Sequence, residues 1–151
     1  LERTLILIKP DAMQRGLAGE IISRLERRGL RIVAMRLFQM EDAVARRHYA
    51  EHEGKGFYES LVSYITASPI IGAVLEGTDA VAITRKTMGA TNPAAAESGT
   101  IRGDLGVETG RNLIHGSDSL ASAEREIALF FEDADLHSYK RDVDPWIYEN
   151  P

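Results

Sequence analysis

The side chains in this chain able to do covalent chemistry are few. Cysteine is absent, which removes thiol nucleophiles, thiolate zinc sites and disulfides together. The histidines are His48, His52, His115 and His137. His48 and His52 stand four apart, so on a helix they share a face, as zinc ligands do. The metalloprotease pattern requires Glu directly after the first His, where this chain has Tyr49, so the pair reads as a solvated helix face. His137 lies in a polar tail without reactive neighbours. His115 is different, because it follows the apolar Leu113-Ile114 and precedes Gly116-Ser117-Asp118-Ser119. That places an imidazole at the end of a short strand, beside a glycine that lets a ligand approach. The first turn of the next helix then offers backbone N–H groups to an anion. On the local motif two readings stand level: a histidine facing an anionic ligand, or one satisfied at a sheet edge with Ser-Asp-Ser capping the helix.

Glycine spacing excludes the familiar nucleotide loops. No G-x-x-x-x-G-K-[ST] run exists, and Gly54-Lys55-Gly56 has Glu59 where the last Gly of G-x-G-x-x-G belongs. Basic residues instead recur beside small polar ones: Lys9 at a strand's end, Thr84-Arg85, Thr91, and Thr100-Ile101-Arg102. Taken singly these are surface charge; together they supply the ammonium, guanidinium forks and hydroxyls that a polyphosphate needs. The formal net charge of -5 argues against unspecific attraction to nucleic acid or anionic membranes.

The elements that must position these groups follow from periodicity. Thr4–Lys9 reads as a buried strand stopped by Pro10, with Asp11 as a helix cap. Leu17, Ile21 and Leu25 repeat every four residues, so Ala18–Arg28 reads as an amphipathic helix, with Gly29 placed for a left-handed terminus. Leu30–Met40 is strand-like, Asp42–His52 and Phe57–Thr66 are helical, and Pro69–Leu75 is a strand. Asp79–Met88 reads as a helix, Asn92–Gly99 as a loop, Asn112–Ile114 as a short strand and Ser119–Phe131 as a helix. The last twenty residues read as an extended tail. The order gives an α+β fold, a ferredoxin-like βαββαβ sandwich in which an antiparallel four-stranded sheet carries helices on one face. A doubly wound parallel sheet would need more strands than the chain supplies. With 151 residues, 44% hydrophobic and 27% charged, one soluble domain spanning residues 1–151 is expected. No apolar run approaches a membrane span, and the address expected is cytoplasmic.

Several separated segments resemble one family, nucleoside diphosphate kinase. They are Ile8-Lys9-Pro10-Asp11 with Gln14-Arg15-Gly16; Arg85 with Met88-Gly89-Ala90-Thr91-Asn92-Pro93; Gly99-Thr100-Ile101-Arg102-Gly103-Asp104; and Gly110 through Ser119, followed by Ser122-Ala123-Glu124-Arg125-Glu126-Ile127. The likeness runs from Arg3 to Tyr148. It implies ping-pong transfer of the γ-phosphate of a nucleoside triphosphate, typically ATP, to a nucleoside diphosphate through a phosphohistidine at His115. Imidazole suits this role, since with an ordinary pKa of about 6.5 it is largely neutral near pH 7. The resemblance implies that Glu126 bonds the ring nitrogen that does not carry phosphate. Lys9, Arg85 and Arg102 would hold phosphates, with Lys9 and Asn112 reaching the ribose 3′-hydroxyl. Tyr49 and Thr91 would donate to phosphate oxygens, and Ser117 would support Glu126. Phe57 would stack on the base, with Leu61 and Thr109 completing the nucleotide site. Mg²⁺ would bridge the phosphates, with Asp118 as an indirect ligand.

Departures from the family pattern are modest. Thr109 replaces a usually apolar residue opposite Phe57, Leu75 and Phe130 stand where Trp is frequent, and Ser98 precedes Gly99 where Pro is common. The segment around Trp146 and Tyr148 resembles the longer, homo-hexameric members more than the tetrameric ones. Two rival readings compete. An RNA-binding sheet of this shape needs strand aromatics that are missing here. A relative that has lost catalysis conflicts with the complete set from Lys9 to Glu126.

Overall fold

The computed structural model describes every residue from Leu1 to Pro151. The first strand, β1 (Glu2–Ile8), stops just before Pro10. Pro10 instead opens the short helix α1 (Pro10–Gln14) at its first position, where a missing N–H costs nothing. The helix α2 (Ala18–Arg27) leads through Gly29, at φ 107°, into β2 (Arg31–Phe38). Then come α3 (Asp42–His48), α4 (Tyr58–Ile65), β3 (Ile70–Gly77) and α5 (Ala80–Met88). The chain closes with α6 (Ile101–Leu105), the three-residue β4 (Ile114–Gly116) and α7 (Leu120–Phe130). The strands form one sheet in the order β2-β3-β1-β4, and every neighbouring pair is antiparallel. This is the expected βαββαβ arrangement.

β1 explains why the chain can build two cores on one sheet. Its side chains alternate between faces, yet Thr4 through Ile8 are all buried. Leu5 and Leu7 join one cluster with Ala45, Val62, Ile65 and Phe130, from α3, α4 and α7. Ile6 and Ile8 join the other with Ile21, Leu25, Ala80 and Met88, from α2 and α5. Helices on one face is therefore correct only in part: α2 and α5, with Ala12 of α1 and Ile101 of α6, cover that face. The insertion between β2 and β3, together with α7, covers the opposite face.

Three local expectations need correction. Asp42–His52 is not one helix: α3 stops at His48 and a 3-10 turn follows at Ala50–His52. The last strand is Ile114–Gly116 rather than Asn112–Ile114, so His115 lies within it, opposite Leu7. The cause is Leu113, a buried non-glycine residue at φ 76°, which breaks extended geometry just before β4. Asp11 is inside α1 and caps nothing; its carboxylate accepts from the Leu113 N–H at 3.0 Å. The tail packs on the surface of the sheet and the turn before β2. His137 N–H donates to the Val33 carbonyl (2.8 Å), Tyr139 Oη to that of Ile32 (2.7 Å), and Arg141 to that of Gly29 (2.9 Å).

Candidate active site

The turn at Leu113 brings distant segments together. The Lys9 N–H donates to the Leu113 carbonyl at 2.9 Å, which locks the end of β1 to the entry of β4. Asn112, one residue earlier, then accepts from Lys9 Nζ through Oδ1 at 2.8 Å. Its Nδ2 donates to the Thr91 carbonyl at 3.0 Å. Arg102, buried in α6, donates to the carbonyls of Asn112 (3.2 Å), Gly89 (3.1 Å) and Ile114 (2.6 Å). Arg85, in the last turn of α5, donates to the Gly116 carbonyl at 3.0 Å. These cations are pinned by neutral carbonyls and one amide rather than by carboxylates.

Their electrostatics follow. Burial, with the Arg102 charge, lowers the Lys9 ammonium to about 8, although Asp11 acts the other way. Burial, with Arg85, lowers Arg102 to about 10. Positive charge is thus gathered and left short of partners, an arrangement that favours an incoming polyanion. These residues open onto a cleft of about 400 Å³. Tyr49 after α3, Leu61 of α4, Thr91 and Thr109 also line it. Burial, then the charge of Glu126, raises the Tyr49 phenol to about 12, so it stays a neutral donor.

His115 lines the same cleft. Its Nε2 is hydrogen-bonded to Oε1 of Glu126, a carboxylate buried on α7. A carboxylate there favours the tautomer with the proton on Nε2, leaving the Nδ1 lone pair available. Asp118 also lines the cleft; a hydroxyl bond from Ser122, then the Arg85 charge, holds its carboxyl below the ordinary range. Ionised carboxylate beside phosphate-binding cations suits a hard cation that keeps mostly phosphate and water ligands.

Two expected residues sit elsewhere. Phe57 is 49% exposed beside the cleft, its ring 5.3 Å from that of the cleft residue His52. Ser117 is fully buried beneath the site, and its Oγ accepts from the Leu5 N–H at 3.4 Å. Its hydroxyl therefore ties β4 to β1 and makes no bond to Glu126. The reading of His48 and His52 as a solvated face fails. Both line the cleft, and His48 is buried because α3 packs its inner face against α4 and α7. Their i, i+4 spacing was the available signal. Glu51, Ser122 and Arg125 also line the cleft; Ser122 and Arg125 lie in the segment that resembles the family, while Glu51 carried no sequence mark.

The family model described as Nucleoside diphosphate kinase matches residues 2–136. A nucleoside diphosphate kinase from Thermomicrobium roseum is 58% identical over 147 residues, covering 97% of this chain and 99% of the relative. Another from Carboxydothermus hydrogenoformans is 54% identical over 149 residues, covering 99% and 100%. Among solved structures, the halophilic enzyme from Halobacterium salinarum, in complex with CDP, superposes with a TM-score of 0.95 at 49% identity, covering 97% and 98%. An NDK-family protein from Babesia bovis gives 0.95 at 41% identity, covering 98% and 100%. With a family match over most of its length and relatives of this identity, the chain belongs to the nucleoside diphosphate kinase family.

Proposed function

We propose that this chain carries out its family's reaction through His115, with Nδ1 as the nucleophile. In the first half-reaction the Nδ1 lone pair attacks the γ-phosphorus of a nucleoside triphosphate. The Nδ1–P bond forms as the bond to the β–γ bridging oxygen breaks, and the nucleoside diphosphate leaves with that electron pair. In the second half-reaction a terminal phosphate oxygen of another nucleoside diphosphate attacks the phosphohistidine, and Nδ1 recovers its lone pair. Neither half moves the Nε2 proton, which Glu126 holds throughout. The observation that carries this reading is the Nε2–Glu126 hydrogen bond within a cleft lined by Lys9, Arg85 and Arg102.

Arg85, Arg102 and Lys9 would bind the phosphates and stabilise charge on the transferred group. Tyr49 and Thr91 would donate to phosphate oxygens. Lys9 and Asn112, already bonded to each other, would meet the 3′-hydroxyl. Phe57, beside the cleft that Leu61 and Thr109 line, would stack on the base through a π-face common to all bases, giving low base specificity. Asp118 would reach Mg²⁺ through water, and the ion when bound would neutralise β- and γ-phosphate charge. One nucleotide site, used in turn by donor and acceptor, suffices for maintaining triphosphate pools.

The wider setting is part of the same proposal. Because β1 serves both cores, residues 1–151 would unfold as one domain. A homo-hexamer, with a tetramer as the alternative, is supported by exposed Met35 and Leu37 on edge strand β2 and by Trp146, 90% exposed; light scattering would distinguish the two. No helix is long and apolar enough to cross a membrane, in keeping with work on a cytoplasmic nucleotide pool.

Intact mass after incubation with ATP and Mg²⁺ tests the reading. One added phosphoryl group per chain is expected, discharged by GDP and absent in His115→Gln, whose amide can still donate to Glu126. An unmodified wild-type mass, with no transfer to GDP, would overturn it.

A further inference from the structure

His48 has no part in the chemistry above, yet it is built into the site. It is the last residue of α3, is 5% exposed and lines the cleft. Its ring meets that of His115 edge to face, with centroids 4.8 Å apart and planes at 87°. Behind it stand Tyr49, at 4.6 Å, and Phe130, at 5.6 Å. Phe130 belongs to the core cluster under α3 and α4, so the imidazole of His48 extends that core up to the nucleophile. Its Nδ1 is buried without a hydrogen-bond partner, and the ring contacts that surround it are aromatic.

We propose that His48 is a positioning residue that acts as a flat, uncharged wall, stopping the His115 ring from rocking about its bond to Glu126. The need for such a wall follows from geometry. One hydrogen bond fixes the Nε2 edge of the His115 ring but lets the plane tilt about that contact. Tilting displaces Nδ1, and in-line attack on phosphorus tolerates little displacement; an error near 1 Å can cost about 10²-fold. The ring packed against His115 removes that freedom, while the carboxylate sets the tautomer. The surroundings also suit an uncharged ring: burial first, then basic neighbours that include Lys9 and Arg125, push the His48 pKa well below the ordinary imidazole value. A charged side chain here would repel the same cations that receive phosphate.

This inference rests on His115 being the nucleophile, and the test separates the two ideas. Single-turnover phosphohistidine formation, kcat and KM are measured for wild type, His48→Ala and His48→Phe, with His115→Gln as reference. Circular dichroism and thermal melting check the fold. If the clamp holds, His48→Ala lowers kcat and the single-turnover rate about 10–100-fold with KM changed much less. His48→Phe, flat and uncharged, restores most of the rate. His48→Leu, apolar but not flat, replaces alanine if that variant does not fold, and stays slow. A near-wild-type rate in His48→Ala or His48→Leu overturns the clamp, as does a loss confined to KM. So does a folded His48→Phe as slow as alanine, which would mean that a ring nitrogen is required. Absence of phosphohistidine in wild type would instead overturn the reading of His115 itself.

Discussion

Lys9 donates a 2.8 Å hydrogen bond to Asn112 across 103 positions of sequence. The bond joins two residues that line the cleft, and its donor is a cation weakened by burial and by Arg102 to about 8. Such a group has a defined linkage. Unfolded, the lysine titrates near 10.5; folded, it releases its proton earlier, so between about 8 and 10.5 the unfolded chain binds more protons. Stability contributed by this group therefore rises with pH across that window, and the full cost of holding the charge is present below about 8. Lys9→Met is expected to raise stability near neutral pH by on the order of 1–2 kcal/mol, after discounting for partial exposure, while nearly abolishing phosphotransfer. Urea unfolding at about pH 7 and about pH 10 checks this; an equal gain at both would refute it.

The same group should respond to ligand. Nucleotide phosphates favour the charged ammonium, so binding restores the proton that burial removes. At a pH of about 8.5–9, between the free value and the raised bound value, binding of a nucleoside diphosphate is expected to take up a fraction of a proton per site. Affinity should weaken as pH climbs further. Calorimetry in buffers of different ionisation enthalpy measures the uptake. Equal uptake by wild type and by any binding-competent Lys9→Met would assign the proton elsewhere.

Glu126 is buried against His115 Nε2. Glu126→Gln can still accept from Nε2–H through its amide oxygen but lacks the charge that favours this tautomer. We expect kcat to fall on the order of 10²-fold with KM changed much less. Rapid-quench measurement of phosphohistidine should show the loss in the first half-reaction. A loss seen only in KM would place Glu126 in substrate binding.

What was legible in the sequence depended on how local the physics was. β1 was readable because its apolar run is continuous, as expected for a strand covered on both faces. α2 was readable because its buried residues repeat at i and i+4. The helices α1 and α6 have five residues each, too few for a period to show. β4 was displaced by two residues because nothing in Leu113 announces a positive φ. The His115 motif was locally ambiguous, and only the resemblance joined it to Lys9, Arg85 and Arg102, which the fold assembles from far-apart segments. His48 was misread for a related reason. Periodicity shows which helix residues share a face, but whether that face meets solvent or a nucleophile is decided by where α3 docks.

Phe57 offers a test of base recognition that leaves the fold alone. It is 49% exposed, directly before α4, with Lys55 Nζ 5.7 Å from its ring centre. Phe57→Ala removes little buried area, so the melting temperature should barely move. KM should rise by a similar factor, on the order of 10-fold from stacking of about 1–3 kcal/mol per base, for purine and pyrimidine nucleotides. Steady-state assays with GDP, CDP and dTDP decide it. A loss confined to one base would show that Phe57 does more than stack.

The last prediction concerns the ion network that ties the tail to the sheet. Arg31, buried on β2, donates to Glu76 at 2.7 and 3.2 Å and to Asp144 at 3.0 Å. Arg3 completes the Glu76 side at 2.9 Å and Arg141 the Asp144 side at 2.8 Å. Burial pushes the Glu76 carboxyl up, but bonds from Arg31 and Arg3 outweigh it and hold it below the ordinary range. Asp144 is lowered as well, first by the Arg141 backbone N–H. Carboxylates depressed in this way contribute stability above their unfolded pKa values of about 4 and lose it as pH falls through the lower folded values. Arg31→Met removes the shared cation and leaves both acids short of a partner. Its melting temperature should drop by roughly 5–10 °C at neutral pH, and the difference from wild type should shrink below about pH 4 as the acids protonate. Thermal melts across that range test it. A difference that stays constant into acid would mean that Arg31 stabilises by packing its stem rather than by its charge.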